Sequence, residues 1–179
     1  MNFKDINQLS FELKEIDSTA KIISSPLVEG DVFIPISVAF KNRNYIITSI
    51  ADGAFEGNKR IRSIIIPENS ELFLISNLSF TDSSITDIFI PPSVTQIGKG
   101  AFSSCINLKS ITFSSKSNLE IIESHAFAFS SLETITIPSK VNHLNEGWFQ
   151  DVKKLTKIIV SPENKRFSYV DDKYLLYKS

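Results

Sequence analysis

A single cysteine, Cys105, leaves this chain without an intrachain disulfide, so its fold has to be held by a buried core. Its two histidines, His125 and His143, fall in no His-x-x-x-His arrangement, and no Cys-x-x-Cys pair exists to complete a zinc site. Glycine is scarce, with six in 179 residues, and forms neither a G-x-S-x-G elbow nor a G-x-x-x-x-G-K-[ST] loop. Gly98-Lys99-Gly100 reads as a turn rather than a phosphate cradle. No catalytic constellation, cofactor site or metal site is therefore expected, and the chain reads as a non-enzyme. Neither sign of charge dominates: 19 Lys and Arg face 20 Asp and Glu, a net charge of -1. A near-neutral surface offers no broad attraction for nucleic acid or anionic lipid. No apolar run approaches the roughly 18 residues of a membrane span. The opening Met1 to Gln8 lacks the apolar segment of a signal peptide. Two readings stay open from these absences: a cytosolic protein, or a piece of an exported one whose signals and anchors lie elsewhere.

What the chain has is apolar residues, 42% of the total, placed at regular intervals. Phe55, Phe80, Phe102, Phe127 and Phe149 follow one another at steps of 25, 22, 25 and 22 residues. Five positions before each stands Ile50, Ile75, Ile97, Ile122 or Leu144, and three before those Ile47, Leu72, Val94, Leu119 or Val141. After each phenylalanine, Ile61, Ile85, Leu108, Leu132 or Leu155 opens an L-x-x-L-x-L string, as in Leu132-Glu133-Thr134-Ile135-Thr136-Ile137. The x-L-x-L part alternates with period two, the signature of a short strand with one buried face. A unit of this length cannot enclose a core alone, so the units must stack, each apolar column becoming a continuous ladder. The five phenylalanines are expected in that core. Cys105, in the column of Asn58 and Val152, is expected as a buried structural thiol. Polar inserts such as Pro67-Glu68-Asn69-Ser70 account for the longer steps and belong in loops.

The division expected is an N-terminal β-hairpin cap over 1–45, five repeats over 46–160, and a C-terminal hairpin or partial repeat over 161–179. Ser10 to Leu13, Lys21 to Ile23 and Val32 to Pro35 are the strand-like runs of the first part. Phe167 to Val170 and Tyr174 to Tyr177, either side of Asp171-Asp172-Lys173, read as a hairpin closing the last coil.

The stretch Ile90-Pro91-Pro92-Ser93-Val94-Thr95-Gln96-Ile97-Gly98-Lys99-Gly100-Ala101-Phe102-Ser103-Ser104-Cys105-Ile106-Asn107-Leu108 resembles the BspA-like leucine-rich repeat, I-P-x-S-V-x-x-I-G-x-x-A-F-x-x-C-x-x-L. Weaker copies run from about Tyr45 to Val160. Asn164 to Tyr177 is similar to the family's N-x-x-F…D-G-x-L-Y ending, with Asp172 where glycine is usual. The resemblance implies a β-rich solenoid of about five 22–25-residue repeats with hairpin caps. It also implies a cell-surface or secreted protein of bacterial or protist type, contacting host or neighbouring-cell proteins. Asn77-Leu78-Ser79-Phe80 departs from G-x-x-A-F but keeps its phenylalanine in register, and forms the chain's N-glycosylation sequon.

Residues alternating with the buried strand positions point outward, so Ile65, Phe89, Thr112, Thr136 and Ile159 should form one column of the sheet surface. Ser63, Asp87, Ser110, Thr134 and Lys157 form the column beside it. Either the apolar members are isolated strand formers, or Ile65 and Phe89 anchor a protein partner. Trp148 stands where other units have a small residue, so the last coil is wider or the indole reaches the surface. A second functional reading, a self-associating or spacing scaffold, rests on the missing signal and the Lys178-Ser179 ending.

Overall fold

The computed structural model describes residues 2–4, 8–170 and 174–177, with side chains from 8 to 168. The strands of the N-terminal third are β1 (Asn2–Lys4), β2 (Ser10–Lys14), β3 (Thr19–Ile23), β4 (Gly30–Phe33), β5 (Ser37–Phe40) and β6 (Arg43–Ile50). Then come β7 (Ile61–Ile65), β8 (Leu74–Ile75), β9 (Asp87–Ile90), β10 (Gln96–Ile97), β11 (Ser110–Phe113) and β12 (Ile121–Ile122). The last are β13 (Thr134–Ile137), β14 (His143–Leu144), β15 (Lys157–Val160), β16 (Phe167–Val170) and β17 (Tyr174–Tyr177).

Like strands of successive coils pair in parallel, as a solenoid requires. β3, β6, β8, β10, β12 and β14 form one ladder. β4, β7, β9 and β11 form a second, and β13 with β15 a third, on the L-x-x-L-x-L side. The molecule is a β-solenoid of about six turns with no helix among the described residues. The columns read from the sequence are its core: Ile47, Leu72, Val94 and Leu119 are fully buried, as are Ile50, Ile75, Ile97 and Ile122. Packing loosens toward the C-terminal pole, where Leu144, Leu155 and Val160 are only partly covered.

The arc carrying the phenylalanines is a run of overlapping tight turns. In one coil, Ala101 N donates to Gly98 O (3.2 Å), Ser103 N to Gly100 O (3.0 Å) and Cys105 N to Phe102 O (3.4 Å). The first and third turns place positive φ at their third residue, Gly100 and Ser104, the type II condition. The same two columns are left-handed in the five coils that carry this arc: Gly53, Leu78, Gly100, His125 and Gly147, then Gly57, Asp82, Ser104, Phe129 and Asp151. Glycine is thus favoured two residues before each phenylalanine, and Leu78 and His125 hold that conformation at a steric cost.

Each arc donates to the next. Phe55, Phe80, Phe102 and Phe127 N reach Ser79, Ala101, Ala126 and Trp148 O at 2.7–2.8 Å. Phe55, Phe80, Phe102 and Phe127 stack with centroids 5.0, 5.2 and 5.5 Å apart and rings within 14° of parallel. The fifth member departs from the column. Phe149 is 36% exposed and Trp148 is 4% exposed, meeting Phe127 edge-on at 6.4 Å. Among the described residues no further arc covers this coil; the larger indole closes the stack and Phe149 turns outward. The Trp148 indole is therefore buried and does not reach the surface, and core placement fails for Phe149.

Ser79 fills the small-residue column of Ala54, Ala101 and Ala126, and its buried hydroxyl has no hydrogen-bond partner. Ser79→Ala should raise unfolding stability by about 1 kcal/mol, because it removes an unsatisfied polar atom without opening a cavity. Chemical denaturation of the two proteins checks it.

The first 45 residues do more than cap. β1, β2 and β3 form an antiparallel meander, but β3 also pairs in parallel with β6, and β4 with β7. They therefore contribute a further coil, whose shortened arc has no room for the phenylalanine landmark. β5 and β6 form a hairpin over Lys41-Asn42, both at positive φ, a type I′ turn. The 45/46 boundary falls inside β6. At the other pole β16 and β17 pair antiparallel. The Asp171-Asp172-Lys173 turn lies outside the described residues.

Candidate protein-binding face

The outward positions of the L-x-x-L-x-L strands stand in two columns. By pairing register, Phe33 lies across from Ile65, Phe89 from Thr112, and Thr136 from Ile159. Ser63 pairs with Asp87 and Ile64 with Ile88, so Ile65 and Phe89 are the next step of that ladder. Ile65 is 48% exposed and Ile159 39%; Thr112 is exposed, while Phe89 and Thr136 are half-buried. The face is not one unbroken ladder, because β11 and β13 lie in separate sheets. Ile65, Phe89 and Thr112 share the first, and Thr136 and Ile159 the second.

One residue of this face escaped the sequence reading. Phe33, 51% exposed, extends the Ile65–Phe89 row by one coil. Its segment was expected to be a cap, yet the strings Val32-Phe33-Ile34-Pro35, Ile64-Ile65-Ile66-Pro67 and Ile88-Phe89-Ile90-Pro91 are visibly alike. Three neighbouring strands thus expose a continuous row of large apolar side chains, and Thr112 and Thr136 continue it as a polar one.

The adjoining column is charged at the same end. Asp31 accepts from Arg62 Nε (2.8 Å) and Nη2 and from Ser63 Oγ (2.8 Å). These donors hold its carboxyl down at about 2, chiefly through Arg62, and the aspartate raises the Arg62 guanidinium in return. The pair is exposed, so it fixes side-chain positions more than it stabilises the fold. Asp31 favours the folded state above the ordinary carboxylate value of 3.8 and loses that contribution as pH falls through about 2. An NMR titration should place the Asp31 midpoint near 2 in the folded protein, and Arg62→Ala should return it toward 3.8. Asp87, the next carboxylate of the column, accepts from Thr86 Oγ1 at 2.7 Å.

The remaining candidates for chemistry are structural. Cys105 is fully buried, donates to Phe80 O at 2.9 Å and touches Ser83 Oγ at 3.5 Å. Burial pushes its thiol up to about 11, so the nucleophilic thiolate is scarce at neutral pH. His125 contacts Gln150 Oε1 at 3.1 Å, and His143 contacts its neighbour Asn142. In the sequon, Ser79 is buried and Asn77 Oδ1 accepts from Lys99 N at 2.8 Å, so the folded chain closes its hydroxyl off. A shallow groove of about 290 Å³ beside the threonine rows is lined by hydroxyls including Thr112, Ser114, Thr136 and Ser161.

The profile of the BspA-type leucine-rich repeat region matches residues 37–156 in six copies. The chain belongs to the BspA-type leucine-rich repeat family. Leucine-rich repeats are protein-interaction scaffolds whose stacked strands present an extended binding surface. Among solved structures, the pneumococcal vaccine antigen PcpA is similar, at 24% identity and a TM-score of 0.79 over 99% of this chain and 54% of that one. A leucine-rich repeat protein from Bacteroides ovatus shares 26% identity at a TM-score of 0.70, over 88% of this chain and 41% of that one. The Treponema pallidum leucine-rich repeat protein matches at 20% identity and a TM-score of 0.70, over 87% and 70%. This chain spans about half the length of the first of these. No curated protein matches it at a significant level. No helix among the described residues is long and apolar enough to cross a membrane.

Proposed function

We propose that this BspA-type repeat domain is an adhesin-type binding module of a cell surface or secreted protein. Its partners are extracellular matrix or cell-surface proteins of a host or neighbouring cell. The supporting observation is the apolar row on three adjacent strands of the solenoid, with Phe33 and Ile65 exposed and Phe89 half-buried. Large apolar side chains grouped on a soluble protein's surface are characteristic of protein contact sites. Thr112 and Thr136 continue the face as a polar rim, and Ile159 adds an exposed apolar residue at its far end. The family's association with surface proteins and the likeness to a pneumococcal antigen support the location.

The test is binding of the folded chain to an immobilised panel of extracellular matrix and plasma proteins. The double variant Ile65→Asp/Phe89→Asp should weaken saturable binding at least tenfold while its circular dichroism and melting stay near those of the parent. Unchanged affinity in the folded double variant would remove this face as the site.

A further inference from the structure

We propose that the open edge of β4 is a strand-addition site for an extended, basic segment of a protein partner, whose backbone continues the β4-β7-β9-β11 sheet. The proposal rests on the binding-face reading above, because Phe33 belongs to both surfaces. The two sheets end differently at the N-terminal pole. One is closed by the antiparallel strands β1 and β2, whereas β4 is the last strand of the other.

The pairing of β4 fixes which of its groups are open. Gly30 N donates to Arg60 O and Ile34 N to Ile65 O, both at 2.9 Å. The register shifts at the left-handed Gly30, but counted back from Ile34 strand alternation turns the amides and carbonyls of Asp31 and Phe33 away from β7, toward a side where no strand pairs with them among the described residues. Two N–H and two C=O groups on one line are what an added strand satisfies.

The side chains narrow the occupant. Phe33 stands outward at the rim and offers an apolar cross-strand neighbour. Asp31 and Glu29 put carboxylates on the edge, and the arginines that reach them, Arg62 and Arg60, come from the next coil inward. The edge segment itself carries no cation from Glu29 to Pro35. A strand with lysine or arginine across from Asp31 and an apolar residue across from Phe33 matches both, and a strand with acidic residues is opposed. Pro35 has no amide hydrogen and ends the edge, so the site takes a short segment.

The probes are fluorescent seven-residue peptides alternating valine with lysine or with glutamate, titrated onto the full chain by anisotropy. Amide hydrogen exchange is followed at Asp31 and Phe33. The lysine peptide should bind at least tenfold more tightly than the glutamate peptide and slow exchange at both amides, and Asp31→Lys should reduce or invert the preference. No saturable binding of the lysine peptide to millimolar concentration, or binding that leaves both amides unchanged, would overturn the proposal. The Ile65→Asp/Phe89→Asp protein keeps the β4 edge. Peptide binding retained there without matrix-protein binding by the parent would sink the face reading alone; the reverse would sink the edge alone.

Discussion

Phe102→Ala should lower unfolding stability by about 3–5 kcal/mol, a large share of the roughly 5–15 kcal/mol of an ordinary domain. Phe102 has no exposed surface and lies between Phe80 at 5.2 Å and Phe127 at 5.5 Å, both rings nearly parallel to its own. Truncation leaves a void that neither neighbour can fill, because each is fixed by its own arc's hydrogen bonds to the adjacent coil. Equilibrium denaturation measures the loss; a change below about 1 kcal/mol would mean that the stack contributes little. Phe149→Ala provides the contrast. At the exposed end of the column it should cost far less, with Trp148 still closing the core.

The second large effect is expected at a polar residue. Asn164 is 1% exposed and ties the C-terminal segment to the coil before it through four backbone groups. Its Nδ2 donates to Pro138 O (2.7 Å) and Val141 O (3.0 Å), and its Oδ1 accepts from Arg166 N and Phe167 N at 2.8 Å each. Asn164→Ala removes four hydrogen bonds, for about 2–6 kcal/mol at roughly 0.5–1.5 each. Asn164→Asp retains the acceptor but points a carboxylate at two carbonyls, so it should also destabilise. Hydrogen exchange should show the loss concentrated in β15 and β16, with β6 to β10 unaffected. Asn58 plays a similar part at the other pole with one donated bond fewer, donating to Val28 O and accepting from Arg60 N and Ile61 N.

The repeat was legible because its core positions are large and apolar, and a solenoid demands the same residue class at each turn. Ile50, Ile75 and Ile97 could hardly be read otherwise. The ends were less legible for the same reason. The coil of β3 and β4 has a shortened arc without the landmark phenylalanine, and its apolar string Val32-Phe33-Ile34-Pro35 was the remaining cue. The exchange of Trp148 for Phe149 was hidden because period alone cannot say which of two adjacent aromatics faces a missing neighbour. Outward positions on the strands followed from alternation, which is local. The break between β11 and β13 depends on how closely two coils approach, which no single segment records.

The backbone rungs between coils run along the long axis of the stack, the arcs donating to the coil after and the flanking segments to the coil before. Tension applied between the two ends of the chain therefore loads those rungs end-on and opens them coil by coil, starting from a pole. A tether attached at either terminus would yield in several small steps, each releasing one coil's length of chain while the remaining coils keep their shape and their exposed row.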